Sequence, residues 1–174
     1  MSGPPASLIA HVRKPEEVPM EQVQQVPPPE VRHAEELTRL AEEKGPRPPG
    51  WLLTPQAVVA FVCGNDRLKI SRKFVGDVSL VERCVITLAG ERALLLVGEP
   101  GTAKSMLSEL LSAAICGTSG LTVQGSAGTT EDQLRYGWNY AQLLARGPSE
   151  DALVDSPVLA AMRTGRVARV EEIT

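Results

Sequence analysis

Residues 93–105, ALLLVGEPGTAKS, restrict the possible folds more than any other stretch of the chain. The short unbroken apolar run at 93–98 has the pattern of a strand buried on both faces. It enters a turn of mostly small residues, and Lys104-Ser105 then opens a second apolar run of helical spacing, closed by Gly117. Further strand candidates lie at 121–125 and 166–172, with SPVLAAMRTG as a helix before the latter. Strands alternating with helices indicate an α/β domain with a parallel sheet and flanking helices.

The turn Gly98-Glu99-Pro100-Gly101-Thr102-Ala103-Lys104-Ser105 reads as a phosphate-binding loop, with Ala103 in place of the second motif glycine. A triphosphate concentrates several negative charges, and main-chain N–H groups encircle them only where the chain curls tightly. Small residues permit that curl, and the helix beginning near Lys104 directs its positive end at the same anion. Lys104 is expected to reach the β- and γ-phosphates of ATP, and the Ser105 hydroxyl to take one position on Mg²⁺. Alanine at 103 is small enough for the loop, but it does not adopt positive φ without a cost. An ordinary glycine-rich strand-to-helix turn would require neither the lysine nor the hydroxyl. A triphosphate site also needs carboxylates, one for the Mg²⁺ shell and one to orient the attacking water. Such groups sit best at the carboxyl end of a neighbouring strand. RVARVEE, 166–172, supplies that shape through Glu171 and Glu172; the plainer alternative is two acidic residues closing a strand at the surface.

The remainder of the chain is uneven. Ten of the fourteen prolines precede Trp51. Residues 1–50 therefore read as a disordered, proline-rich lead holding one short helix at about 30–44, with Gly45 placed to end it. Its apolar stripe is thin, which suits docking on another surface, and His33 is expected to be solvated. Residues 51–174 carry the domain. TPQAVVAFVCG is a helix with Thr54 as its cap, and VSLVERCVITLAG at 78–90 is a second with one broad apolar face. Net charge is -3, which gives no basic footprint for nucleic acid. No apolar run approaches a membrane span, and three widely separated cysteines form no metal-ligand pattern. The expectation is a cytoplasmic protein with reduced thiols.

Taken together, KFVGDVSLVERCVITLAGERALLLVGEPGTAKS and SPVLAAMRTGRVARVEEIT resemble the MoxR-type AAA+ ATPases over about residues 72–174. In that family the phosphate loop often reads G-x-P-G-T-A-K-S, so Ala103 is no departure from it. The resemblance implies a P-loop NTPase (AAA+) sheet, with Val75 and Gly76 on the adenine side. It also implies Gly98 through Ser105 as the phosphate cradle, followed by Met106. Glu171 stands where the Mg²⁺-linked aspartate is usual and Glu172 where the water-activating glutamate is usual, making Lys104 and Glu172 the catalytic candidates.

The family continues with a helix, a sensor strand, an arginine finger, a fifth strand and a helical lid, none of which is found by Thr174. The resemblance thus implies a domain incomplete at its C-terminus, a truncated form with weak or no turnover. With the family strand order 5-1-4-3-2, one strand would be missing between the loop strand and the Glu171 strand. A displacement of one strand width is roughly 4.8 Å, whereas a misplacement of about 1 Å can already lower a rate a hundredfold. A full-length member is expected to form a homo-hexameric ring that remodels client proteins or von Willebrand A-type partners. Alternative expectations are a non-catalytic nucleotide-binding interaction module, a chelatase-type motor subunit, and an unfolded product without function.

Overall fold

The structure, a computed structural model, describes residues 26–172, the side chains at 132 and 133 excepted. The disorder expected of the lead at 1–25 lies outside the described residues. Five helices come first: α1 (Pro29–Arg32), α2 (Ala34–Ala41), α3 (Pro55–Cys63), α4 (Val78–Ala89) and α5 (Lys104–Cys116). Then follow β1 (Thr122–Gln124), α6 (Glu131–Arg135), β2 (Tyr136–Trp138), α7 (Tyr140–Arg146), β3 (Leu153–Asp155), α8 (Pro157–Thr164) and β4 (Arg169–Glu171).

Local chemistry sets the helix ends. Thr54 Oγ1 accepts from the Ala57 N–H at 3.1 Å, with Pro55 in the first turn where no N–H is missed. Asp77 caps α4 by accepting from Ser79 N–H, and Gly117 ends α5 in the left-handed region at φ 73°. The expected stop at Gly45 is corrected. α2 ends at Ala41, and its terminal carbonyl accepts from the Arg47 guanidinium at 2.6 Å, so a folded-back cation replaces the glycine.

The core is helical. Val58, Phe61 and Val62 of α3 meet Val81, Cys84 and Val85 of α4 and Leu107, Leu110, Leu111 and Ile115 of α5. Each fully buried leucine or isoleucine contributes about 2 kcal/mol, so α5, which carries the 98–103 loop at its start, is firmly seated. Cys84 and Cys116 are buried, Cys63 is half-buried, and all three are free thiols. Burial pushes the Cys63 and Cys84 thiols up from their ordinary value, which keeps them protonated and unreactive.

Residues on the two sides of position 50 pack together. Leu40 of α2 is part of the same core, and Glu30 of α1 receives both Ser119 N–H (3.0 Å) and Ser119 Oγ–H (2.9 Å). α2 is fixed by Lys73, whose side chain is 5% exposed. Its ammonium donates to Glu36 Oε2, Phe61 O and Ser71 O, satisfying all three protons, and lies 4.3 Å over the Phe61 ring. His33 is half-buried, edge-on to the same ring at 5.9 Å, so it is not the solvated residue expected. Burial first, and the Lys73 charge second, hold its pKa below the usual 6.5. The sequence hides this arrangement because the proline-rich composition around α1 and α2 masks a few well-placed contacts.

The strand pattern also differs from expectation. β1 and β4 pair in parallel, with Thr122 opposite Arg169, Val123 opposite Val170 and Gln124 opposite Glu171. β2 and β3 form a separate antiparallel pair that the sequence reading did not anticipate. Residues 93–98 are extended but belong to no strand. Leu94 and Leu96 pack against the core, whereas Leu95 and Val97 are 72% and 85% exposed. The run is covered on one face only. No described strand lies beside it to share main-chain hydrogen bonds, so four large apolar side chains in a row did not suffice to make a sheet strand. Among the described residues no helix is long and apolar enough to cross a membrane.

Candidate nucleotide-binding site

The loop between the extended run and α5 is curled by two left-handed residues, Gly101 at φ 78° and Ala103 at φ 58°. Alternation of backbone hand turns successive N–H groups toward one concavity. Ala103 therefore does adopt the positive φ, at a cost of roughly 1 kcal/mol for an L-residue with a Cβ. None of the main-chain N–H groups of Gly98, Glu99, Gly101, Thr102, Ala103, Lys104, Ser105 or Met106 donates to a described residue. The loop is exposed along most of its length, so this run of donors faces solvent.

Lys104 crosses the loop. Its ammonium donates to Gly98 O at 2.8 Å, Glu99 O at 2.7 Å and Thr102 Oγ1 at 3.3 Å, and Thr102 Oγ1 donates to Glu99 O at 2.8 Å. Carbonyls that would repel an anion are thereby turned onto a cation. The Ser105 hydroxyl and the Met106 side chain are exposed, and the hydroxyl has no hydrogen-bond partner among the described residues.

At the other half of the site, Gln124 pairs with Glu171, and Gly125 N–H donates to Glu171 O at 2.8 Å. Glu171 Oε1 accepts from Arg169 Nη1 at 2.8 Å, and the same nitrogen lies 3.5 Å from Ser105 O. One guanidinium nitrogen thus reaches both the Ser105 carbonyl at the start of α5 and the Glu171 carboxylate at the end of β4. Glu172 is exposed, takes no ion pair or hydrogen bond among the described residues, and is left-handed at φ 55°. Such a backbone in a non-glycine residue costs of order 1 kcal/mol and collects at functional sites.

Val75 and Gly76 sit in a turn held by Arg72, which donates to Phe74 O and Gly76 O at 3.0 Å each. A Cβ on Gly76 would lie 2.3 Å from the buried Phe74 ring, so glycine is required there. Val75 is exposed. No hydrogen bond or ion pair among the described residues joins this turn to residues 98–106, so the structure does not bring the two expected binding segments into direct polar contact.

The protein donors available to a cation are a hydroxyl and carboxylates, all hard oxygen ligands. Among the described residues no group of three His, Cys, Asp or Glu side chains could hold a metal ion. That donor set fits Mg²⁺, which takes one or two protein oxygens and completes its octahedron with phosphate and water.

Two residues near the site were overlooked at the level of sequence. Arg169 is an arginine in a strand of otherwise apolar leaning, two positions before Glu171 and hence on the same face. Gly125 closes β1, where a Cβ would meet Glu171 O at 2.7 Å and Glu172 O at 2.8 Å. Gly125→Ala is therefore expected to push the β1 and β4 ends apart and lower stability by about 2 kcal/mol. Thermal melts would show a midpoint several degrees lower; an unchanged melt would mean the strand ends have room to spare.

The structure thus brings together a parallel strand pair, a loop with two left-handed residues and a helix opening on Lys104-Ser105. Residues 93–174 match the AAA domain (dynein-related subfamily). Over 151 residues the chain is 55% identical to the uncharacterized protein YehL of Escherichia coli (strain K12). That alignment covers 86% of this chain and 42% of the relative, so the chain spans less than half the length of the curated protein it matches. No solved structure matches it.

Proposed function

We propose that the chain binds ATP with Mg²⁺ and hydrolyses it as an AAA+ ATPase of the MoxR type, acting on partner proteins. The observation that carries this reading is the run of main-chain donors from Gly98 to Met106 that have no partner among the described residues, beside the Lys104 ammonium. Exposed donors converging at a helix N-terminus are what a polyphosphate requires. In this reading Gly98, Glu99, Pro100, Gly101, Thr102 and Ala103 shape the cradle, and Lys104 exchanges its loop carbonyls for phosphate oxygens. Ser105 and Glu171 supply oxygens for the cation. Glu172 accepts a proton from water, its carboxylate being exposed and without an ion pair or hydrogen bond among the described residues. Val75 and Gly76 border the base. Assembly as a homo-hexamer, remodelling of client or von Willebrand A-type proteins, and a cytoplasmic setting suited to three free thiols complete the proposal.

Calorimetric titration with Mg-ATP tests it: micromolar association is expected, with phosphate release following in a steady-state assay. A folded chain that gives no heat with Mg-ATP would exclude the reading. A second reading, a nucleotide-binding module without turnover, is favoured by the pairing of Glu171 with Arg169, which occupies the carboxylate assigned to the cation. Tight association without phosphate release would select it.

A further inference from the structure

Arg169 is the most heavily engaged side chain beside the loop, and its side chain is 9% exposed. Nε donates to Ser119 O at 3.2 Å, and Nη2 to Thr122 Oγ1 at 2.8 Å. Nη1 donates to Ser108 Oγ at 3.1 Å and Glu171 Oε1 at 2.8 Å, and lies 3.5 Å from Ser105 O. The Glu109 carboxylate is 3.6 Å from Nη2. Ser119 is in turn clamped by both oxygens of Glu30, so the guanidinium plane is braced from behind by α1. A single positive charge therefore serves two carboxylates, one of them the Glu171 carboxylate assigned to the cation, and reaches the main-chain carbonyl of Ser105, whose hydroxyl is the other assigned oxygen.

We propose that Arg169 is a positioning residue that holds Glu171 in a cation-paired rest state and thereby sets the divalent-cation affinity of the nucleotide site. The proposal rests on the nucleotide reading of residues 98–106. A divalent ion approaching Glu171 meets an immobile like charge already hydrogen-bonded to the carboxylate, and like charges in close contact oppose each other's binding. A guanidinium does not deprotonate in a protein, so the opposition is constant across neutral pH. Without Arg169, Glu109 and Glu171 are left uncompensated, and a divalent cation is the natural replacement.

Mn²⁺ is the probe, titrated into the ADP-loaded full chain and followed by its electron paramagnetic resonance signal. ADP affinity in EDTA is measured separately. Arg169→Gln is expected to tighten Mn²⁺ binding about tenfold while ADP affinity in EDTA stays within twofold of the parent. Glu171→Asp, which withdraws the carboxylate from Arg169 and leaves the other guanidinium contacts in place, is expected to tighten Mn²⁺ binding severalfold. This second variant decides the matter should Arg169→Gln fail to fold. Unchanged or weaker Mn²⁺ binding in the folded variants would overturn the proposal and leave the nucleotide reading standing. Failure of the parent chain to bind ADP in EDTA would remove both.

Discussion

Replacing Lys104 with alanine is expected to weaken Mg-ATP binding about a hundredfold while leaving the fold intact. The ammonium has two tasks in this loop. It draws Gly98 O and Glu99 O inward, and it sits at the start of the helix whose first N–H groups have no partner among the described residues. A hydrogen bond from a charged donor contributes roughly 1.5–3 kcal/mol, and about 2.7 kcal/mol corresponds to two decades in affinity. These contacts are exposed, so the change in folding stability is expected to remain under about 1 kcal/mol. Calorimetry alongside thermal melts separates the two effects. An alanine variant that binds Mg-ATP as the parent does would show that the polyphosphate sits elsewhere.

The largest expected effect on stability lies far from the loop. Lys73→Met is expected to cost about 3 kcal/mol, because removing one partner of a buried ion pair strands the other. Glu36 would lose its ammonium, and Phe61 O and Ser71 O would lose their shared donor. α2 would then be held by Leu40, Leu37, the Arg39 contacts to Leu68 O and Lys69 O, and the Ser71 hydrogen bonds to Glu36 Oε1. Denaturant melts check the magnitude; a loss below about 1 kcal/mol would show that methionine packing compensates.

The same pair predicts a pH dependence. Burial pushes the Glu36 carboxyl up, but hydrogen bonds from Lys73 and Ser71 outweigh it and hold the folded pKa below the ordinary 4.5. A carboxyl depressed on folding contributes stability that is fully present above its unfolded pKa and is lost as pH falls through the folded one. The gap in stability between the parent and Lys73→Met should thus be widest near neutrality and shrink at pH below about 4, the lower end of the ordinary carboxyl range. His33 adds a separate loss at higher pH. Its folded pKa is lowered, so its contribution fades as pH drops below the usual 6.5, when the ring must charge beside Lys73. A gap that does not change with pH would place the stabilisation outside the Lys73–Glu36 pair.

The curl of the loop was legible in the sequence because it is local. Gly98 to Ser105 are consecutive, and their small side chains, lysine and hydroxyl specify a curled backbone before a helix whatever surrounds them. The caps at Thr54 and Gly117 and the apolar faces of α3, α4 and α5 were legible for the same reason, since period and capping act within a few residues. Only the tertiary structure decided the rest, and each such feature joins residues far apart in the chain. Whether 93–98 pairs depends on a neighbouring strand that no residue in that run encodes. The role of Arg169 depends on Ser105, Ser108, Glu109, Thr122 and Glu171 converging on one guanidinium. The inclusion of α1 and α2 in the core depends on Lys73 and Ser119 finding carboxylates 37 and 89 positions away. Short-range spacing determines backbone shape and donor supply; the placement of charge and the pairing of strands are properties of the packed molecule.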